Sequence, residues 1–206
     1  MEFPKSYVIG ICGGSGSGKS YMVQHLKEHF PPQSIAVIDQ DSYYNDLSHL
    51  SPKQRLEINF DHPNAIDFDH LSLDIEHIRT GRIIKKPIYN FTTHTRNKTG
   101  STVLPSPIII IEGHHIFHLK KIRAQVEHKV YLDIESDIRF IRRLVRDTKE
   151  RGRSVENVIQ QYLSTVRPMD RQFVQPVKLY ADTVINSSNY QEMFSKIVRI
   201  LKQFIK

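Results

Sequence analysis

Gly13-Gly14-Ser15-Gly16-Ser17-Gly18-Lys19-Ser20, preceded directly by the apolar run Tyr7-Val8-Ile9-Gly10-Ile11-Cys12, is the stretch whose reading decides the fold. It fills every position of the Gly-x-x-x-x-Gly-Lys-Ser phosphate-binding pattern, with strand signal before it and helix signal after it. Side chains would keep a polyphosphate away from main-chain N–H groups. Glycines clear that space and accept positive φ. Successive N–H groups then form an anion nest at a helix N-terminus. Lys19 supplies a point charge for the β- and γ-phosphates, and the Ser20 hydroxyl is a ligand for Mg²⁺. A plain Gly/Ser-rich turn before an ordinary helix would not need all these positions filled at once. The chain is therefore expected to bind a nucleoside triphosphate.

Outward from this loop, strand and helix signals alternate, which predicts a P-loop NTPase-type α/β fold, a parallel sheet flanked by helices. Strands are expected at Tyr7 to Cys12, Ile35 to Ile38, Ile108 to Ile111, Lys129 to Leu132 and Thr183 to Ile185. The four consecutive isoleucines show no alternation, as expected of a strand buried on both faces. Helices are expected at Lys19 to Phe30, ended by Pro31-Pro32, and at Asp69 to Arg79, Ser136 to Glu150, Val155 to Thr165 and Tyr190 to Ile205. The polar, Thr-rich stretch 83–104 breaks the pattern and reads as a projecting β-hairpin. Long excursions of this kind tend to carry function.

The 206 residues fit one domain, 1–206, with 137–168 forming a lid and its following helix. Net charge is +7. Much of the basic excess falls in Arg139, Arg142, Arg143, Arg146, Lys149, Arg151 and Arg153, relieved by Asp147 and Glu150. Such a run is either a solvated helix face or, beside a phosphate loop, an Arg-rich clamp. RNP, zinc-finger and basic-zipper signatures are absent, which argues against nucleic acid. No apolar run reaches membrane-spanning length and no leader-like segment precedes the first strand, so a cytoplasmic protein is expected. The single cysteine, Cys12, sits in the first strand and reads as a small buried hydrophobe.

Ligands in this architecture gather at the C-terminal edge of the sheet. Asp39 and Asp41 follow the second strand and Glu112 follows the isoleucine run. An acid at the end of a buried strand commonly touches Mg²⁺, directly or through water, and Glu112 is assigned that role over a turn-capping one. Asp41, in the polar loop Asp39-Gln40-Asp41-Ser42-Tyr43-Tyr44, is the better candidate to receive an acceptor hydroxyl's proton; Asp39 reads as structural. Asp61, in Asn59-Phe60-Asp61-His62-Pro63, could accept two hydrogen bonds from a vicinal diol or simply shape a turn. Tyr89 and Phe91, two apart on a strand, would present both rings on one face.

Taken in order, these segments resemble the uridine (uridine–cytidine) kinase family. The resemblance is carried by the phosphate loop, Gln40-Asp41-Ser42-Tyr43-Tyr44, Asn59 to Pro63 and Pro87-Ile88-Tyr89-Asn90-Phe91. It continues through Thr93-His94-Thr95-Arg96, Glu112-Gly113 and Arg146-Asp147-x-x-Glu150-Arg151-Gly152-Arg153. It covers nearly the whole chain. It implies transfer of the γ-phosphoryl group of ATP or GTP, with Mg²⁺, to the 5′-hydroxyl of uridine or cytidine. Asp41 matches the family's catalytic aspartate. Asp61 and Arg143 match groups on the ribose hydroxyls, and Tyr89, Phe91, His94, Arg153 and Gln161 match residues near the base. Arg146 and Arg151 match lid arginines that reach the triphosphate, and Tyr21, next to Ser20, is grouped with the nucleotide-binding residues. A neutral His94 imidazole can donate at one nitrogen and accept at the other, so it suits uracil or cytosine. Relatives of this kind often self-associate.

The chain departs from the family pattern at two places. His114-His115-Ile116-Phe117-His118 stands where apolar residues usually follow Glu-Gly; His114 and His118 could share a helix face, but no third metal ligand accompanies them. Asn186-Ser187-Ser188-Asn189 stands where Gly or basic residues usually lie near the donor base, which leaves ATP against GTP open. Competing readings are a related kinase of ribulose 5-phosphate or pantothenate, and a nucleotide-dependent regulatory or RNA-binding protein. The latter is weakened by the missing Asn-Lys-x-Asp guanine motif.

Overall fold

A computed structural model describes residues 6–204. Five parallel strands form the central sheet in the order β2-β7-β1-β8-β9: β1 (Tyr7–Gly13), β2 (Ile35–Asp39), β7 (Ile108–Gly113), β8 (His128–Leu132) and β9 (Thr183–Ile185). Each expected strand is present, several extended by a residue or two at an end. Successive residues of the central strands feed opposite layers. Val8, Cys12, Ile109 and Ile111 join the core beneath one face, while Ile9, Ile11, Ile108 and Ile110 join the core beneath the other. This two-sided burial is why the sequence shows an unbroken apolar run. Each fully buried isoleucine contributes on the order of 1.5–3 kcal/mol of transfer free energy.

Helices α1 (Lys19–His29) and α8 (Tyr190–Leu201) cover one face through Met22, Leu26, Met193 and Ile197. The expectation for the last helix ran to Ile205, which lies outside the described residues; the helix itself ends at Leu201, followed by a turn. Helix α3 (Phe68–Arg79) covers the other face with Leu71, Ile75 and Ile78. Short helices α2 (Pro52–Leu56) and α4 (Lys120–Arg123) lie on either side of it in sequence.

The excursion at 83–104 is a hairpin in two tiers. Strands β3 (Ile84–Lys86) and β6 (Ser101–Val103) pair at its base, and β4 (Tyr89–Asn90) and β5 (Thr95–Arg96) pair further out. Arg96 fastens it to the body, donating from Nε to the Tyr44 carbonyl at 2.8 Å and pairing with Asp67 at 3.1 Å. Phe91 falls in the turn beyond β4 rather than on the strand. Four-residue tips of this kind are shaped by local Asn and Thr hydrogen bonds, here Asn90 Oδ1 accepting from Thr92 N and Thr93 N.

Helix α5 (Ser136–Glu150) runs as expected, and α6 (Val155–Gln161) begins with Ser154 capping Asn157 N. The helix expected to run regularly to Thr165 does not. From Gln161 the chain passes into a π turn over Tyr162–Val166, a short α7 (Arg167–Met169) and a second π turn over Asp170–Val174. Pro168 cannot give an N–H to the carbonyl four residues back, and a widened register absorbs that loss.

Candidate active site

The sheet register brings the acids together. Asp39 at the end of β2 sits opposite Glu112 on β7, and Glu112 sits opposite Ile11 on β1, two residues before the phosphate loop begins at Gly13. The loop then enters α1 through Gly18, whose φ is +92°, and no side chain caps that helix. The first N–H groups of α1 are thus left for an anion. Gly16 has φ +80° and presses on the main chain of Arg139: an added Cβ would lie 2.2 Å from the Arg139 carbonyl oxygen. Arg139 is itself locked by a buried, bidentate pair with Asp170 at 3.1 and 3.0 Å.

Lys19 Nζ donates back to the carbonyls of Gly13 and Gly14 at 2.8 and 3.2 Å. Ser20 Oγ donates to Glu112 Oε1 at 2.7 Å. Burial pushes the Glu112 carboxyl up to about 7, against the pull of Lys19. Two hard oxygen ligands therefore meet beside the loop, a donor set that suits Mg²⁺ completed by phosphate oxygens and water. Among the described residues no group of three or more His, Cys, Asp or Glu is arranged to hold a metal by itself. His114 to Leu119 form bends and turns, so His114 and His118 do not share a helix.

Asp41 lies in the 3₁₀ turn Gln40–Tyr43, which Asp39 opens by accepting from Ser42 N at 3.1 Å. Lys86 of the hairpin also pairs with Asp39. Asp39 therefore holds the turn, and Asp41 faces the cavity. Burial raises the Asp41 carboxyl, Lys19 opposes that, Asp39 adds to it, and Arg151 and Arg146 oppose it further.

A cavity of about 920 Å³ runs from the phosphate loop to the hairpin. Of the residues singled out from sequence, Ser15, Gly16, Gly18, Lys19, Ser20, Tyr21, Asp41, Asp61, Tyr89, Phe91, His94, Glu112, Arg143, Arg146, Arg151, Arg153 and Gln161 line it; Gly13, Gly14 and Ser17 do not. Those three shape the loop from behind. The arginines are gathered by Asp147, which is fully buried. Its Oδ1 takes Arg146 at 2.8 Å and Arg151 at 3.6 Å, and its Oδ2 lies 3.5 Å from Arg143 Nε. Arg143 donates onward to Ser15 Oγ at 2.8 Å and Gln161 Oε1 at 2.9 Å, and Gln161 also receives Arg153.

At the far end the walls are aromatic. Phe60 stacks on His94 with centroids 4.4 Å apart and planes 17° apart, and Tyr44 meets Phe60 and Tyr89 at 5.7 and 5.2 Å. Phe91 closes on Tyr89 at 5.2 Å, with the Arg151 guanidinium 5.7 Å from its ring. His94 holds a left-handed φ of +54°, and its Nδ1 and the Tyr89 hydroxyl are buried without a hydrogen-bond partner. Burial, then Arg153 and Arg55, lower the His94 imidazole, so it is neutral at neutral pH. Buried unpaired polar atoms in a chamber are open to a ligand's own donors and acceptors. Asp61 opens into the same chamber; burial raises its carboxyl, while Arg143 and a hydrogen bond from Thr165 lower it. Tyr44, Phe60, Tyr190 and Met193 line the cavity but were not singled out as site residues. Tyr44 and Phe60 lie inside the quoted motifs; Tyr190 and Met193 lie on a helix whose periodicity reads as core.

A nucleotide loop with a lysine, a serine–carboxylate pair and an arginine cluster, in one cavity that runs on to aromatic walls, all on this five-stranded sheet, define a P-loop kinase. The chain belongs to the phosphoribulokinase / uridine kinase family, whose model matches residues 8–193. It is 46% identical over 204 residues to a uridine kinase of Geobacillus kaustophilus (strain HTA426), covering 97% of each chain. It is 45% identical over 204 residues to a uridine kinase of Anoxybacillus flavithermus, again covering 97% of each. In fold it is similar to D-glycerate 3-kinase from Cryptococcus neoformans var. grubii, with a TM-score of 0.68 at 15% identity over 90% of this chain and 87% of that one. Among the described residues no helix is long and apolar enough to cross a membrane.

Proposed function

We propose that the chain transfers the γ-phosphoryl group of ATP or GTP to the 5′-hydroxyl of uridine or cytidine. The observation that carries this reading is the position of Asp41, at the junction of the phosphate loop and the aromatic–histidine chamber within one cavity. The names of the relatives at 45–46% identity support the same acceptor.

In this reading the loop N–H groups and Lys19 hold the triphosphate, and Lys19 exchanges its contacts with the Gly13 and Gly14 carbonyls for phosphate oxygens. Ser20 and Glu112 would hold Mg²⁺, which supplies charge neutralisation at the phosphates. Arg146 and Arg151 stabilise the charge that spreads over the transferring group. Tyr21 lies at the open mouth, 58% exposed, beside the donor base. Asp61 and Arg143 hold the ribose diol, and Tyr89, Phe91, His94, Arg153 and Gln161 surround the pyrimidine. Asp41 orients the 5′-hydroxyl and accepts its proton late in the transfer. Closure of the 137–168 segment would exclude water, the competing acceptor. The whole chain acts as one kinase unit, in a cytoplasmic setting, with small molecules as its ligands.

ADP release by the purified protein across uridine, cytidine, ribulose 5-phosphate and pantothenate tests this, with Asp41→Asn as the blank. Turnover on the two nucleosides alone is expected. Turnover only on a phosphorylated acceptor would replace the reading with the other branch of the family.

A further inference from the structure

We infer that Thr165 is a positioning residue for Asp61, and that its hydroxyl sets how strongly the site separates a ribonucleoside from its 2′-deoxy counterpart. The inference rests on the proposed role of Asp61 as the diol-binding carboxylate.

Thr165 lies in the first π turn, and its Oγ1 is 2.8 Å from Asp61 Oδ2 and 3.1 Å from the Gln161 carbonyl oxygen. A hydroxyl has one proton to give. An ionised carboxylate is the stronger and here the nearer acceptor, so the proton goes to Asp61. The main chain of Asp61 is already held on both sides: its N–H donates to Asn59 Oδ1 at 3.1 Å, and its carbonyl accepts from His115 Nε2 at 2.8 Å. The remaining freedom is rotation of the carboxyl group, and Thr165 removes it. With one lone pair of Oδ2 committed to Thr165, Oδ1 and the second lone pair of Oδ2 are left at a fixed angle for the two hydroxyls of a vicinal diol.

Thr165 stands four residues after Gln161 and turns the same face toward Asp61. Leu163 and Ser164 are exposed, whereas Thr165 is half-buried against Asp61. Gln161, four residues earlier on the same face, accepts from Arg143 and Arg153. One face of the helix thus orders both groups of the ribose site, Gln161 acting on Arg143 and Thr165 acting on Asp61.

The test is steady-state kinetics with uridine as substrate and 2′-deoxyuridine as competing ligand, on wild type, Thr165→Val, Thr165→Ser and Asp61→Ala. Losing one hydrogen bond to a charged group predicts a uridine KM about tenfold higher in Thr165→Val. The 2′-deoxyuridine inhibition constant should rise about twofold and the ATP KM should stay within about twofold, so the ribose preference narrows by about fivefold. Thr165→Ser, which keeps the donor, should retain most of the preference. Thr165→Ala removes the same donor from a half-buried position and carries the same expectation if the valine variant does not fold; thermal melting of each variant separates folding from selectivity. If Asp61→Ala abolishes the preference while the Thr165 variants keep it, or if Thr165→Val weakens both nucleosides equally, the inference is overturned and the reading of Asp61 stands. If Asp61→Ala itself leaves the preference at the wild-type level, both fall together.

Discussion

The two ends of the cavity are built in different ways. The phosphate end comes from one contiguous stretch, Gly13 to Ser20, and works through backbone geometry: a left-handed entry at Gly18, an uncapped helix and the close approach of Gly16 to Arg139. The other end, where we place the acceptor, is assembled from segments far apart in sequence, among them Tyr44, Phe60-Asp61, the hairpin, Arg143 and the π turn, and works through side chains. Backbone recognition serves any nucleoside triphosphate. Side chains gathered from distant segments can select one acceptor. A substitution should therefore abolish the reaction at one end and redirect it at the other.

The largest effect is expected at the junction. Asp41→Asn keeps the shape but removes the proton acceptor, and kcat should fall by about 10²–10⁴. Binding of a fluorescent ATP analogue should be nearly unchanged. Loss of nucleotide binding in that variant would place Asp41 in the phosphate end instead.

Gly16→Ala comes next. The new methyl group would meet the Arg139 main chain at 2.2 Å at a positive φ, so the loop must deform. ATP affinity should drop at least about tenfold, while uridine binding, read by calorimetry, stays within about threefold. Equal losses for both ligands would show that the two ends are not separable.

His94→Ala should act in the opposite sense. Removing the ring deletes both the Phe60 stack and the polar edge, so the uridine KM should rise by about tenfold or more with the ATP KM little changed. An unchanged uridine KM would remove the hairpin from the acceptor site.

A smaller effect concerns pH. Burial raises the Asp41 carboxyl, the proposed proton acceptor, which must be ionised to act. A raised carboxyl takes up its proton sooner as pH falls, so kcat/KM should decline at a pH above the ordinary carboxylate range of about 4. Burial, Arg153 and Arg55 lower the His94 imidazole, so its protonation falls below the ordinary histidine range. A profile flat down to pH about 5 would contradict the electrostatic picture of the junction.

The same contrast governs what the sequence discloses. The phosphate loop is legible because backbone chemistry imposes glycine, lysine and serine at fixed spacing. The sheet is legible because burial on both faces demands runs such as Ile108 to Ile111. The proposed acceptor chamber is legible mainly through resemblance to a family, since the spacing of Tyr89 and Phe91 suggests a shared face but nothing local ties it to His94 or Asp61. Phe60 stacks on His94 across a sequence gap that periodicity does not span. Asp147 reads as one acid among many arginines, and only burial reveals it as their common partner. The first π turn is not legible because it falls at the very end of the helical stretch Val155 to Thr165, and the second, Asp170–Val174, lies beyond any stretch that reads as helix. Pro168 was the signal that could have marked them.

A crystal structure with uridine and a non-hydrolysable ATP analogue tests the geometry of the junction most directly. The pyrimidine should lie in the chamber of Tyr89, Phe60 and His94, with the ribose diol on Asp61 and the 5′-oxygen within hydrogen-bond reach of Asp41, in line with the terminal phosphate. Uridine bound outside that chamber, or with its 5′-oxygen turned away from Asp41, would contradict it.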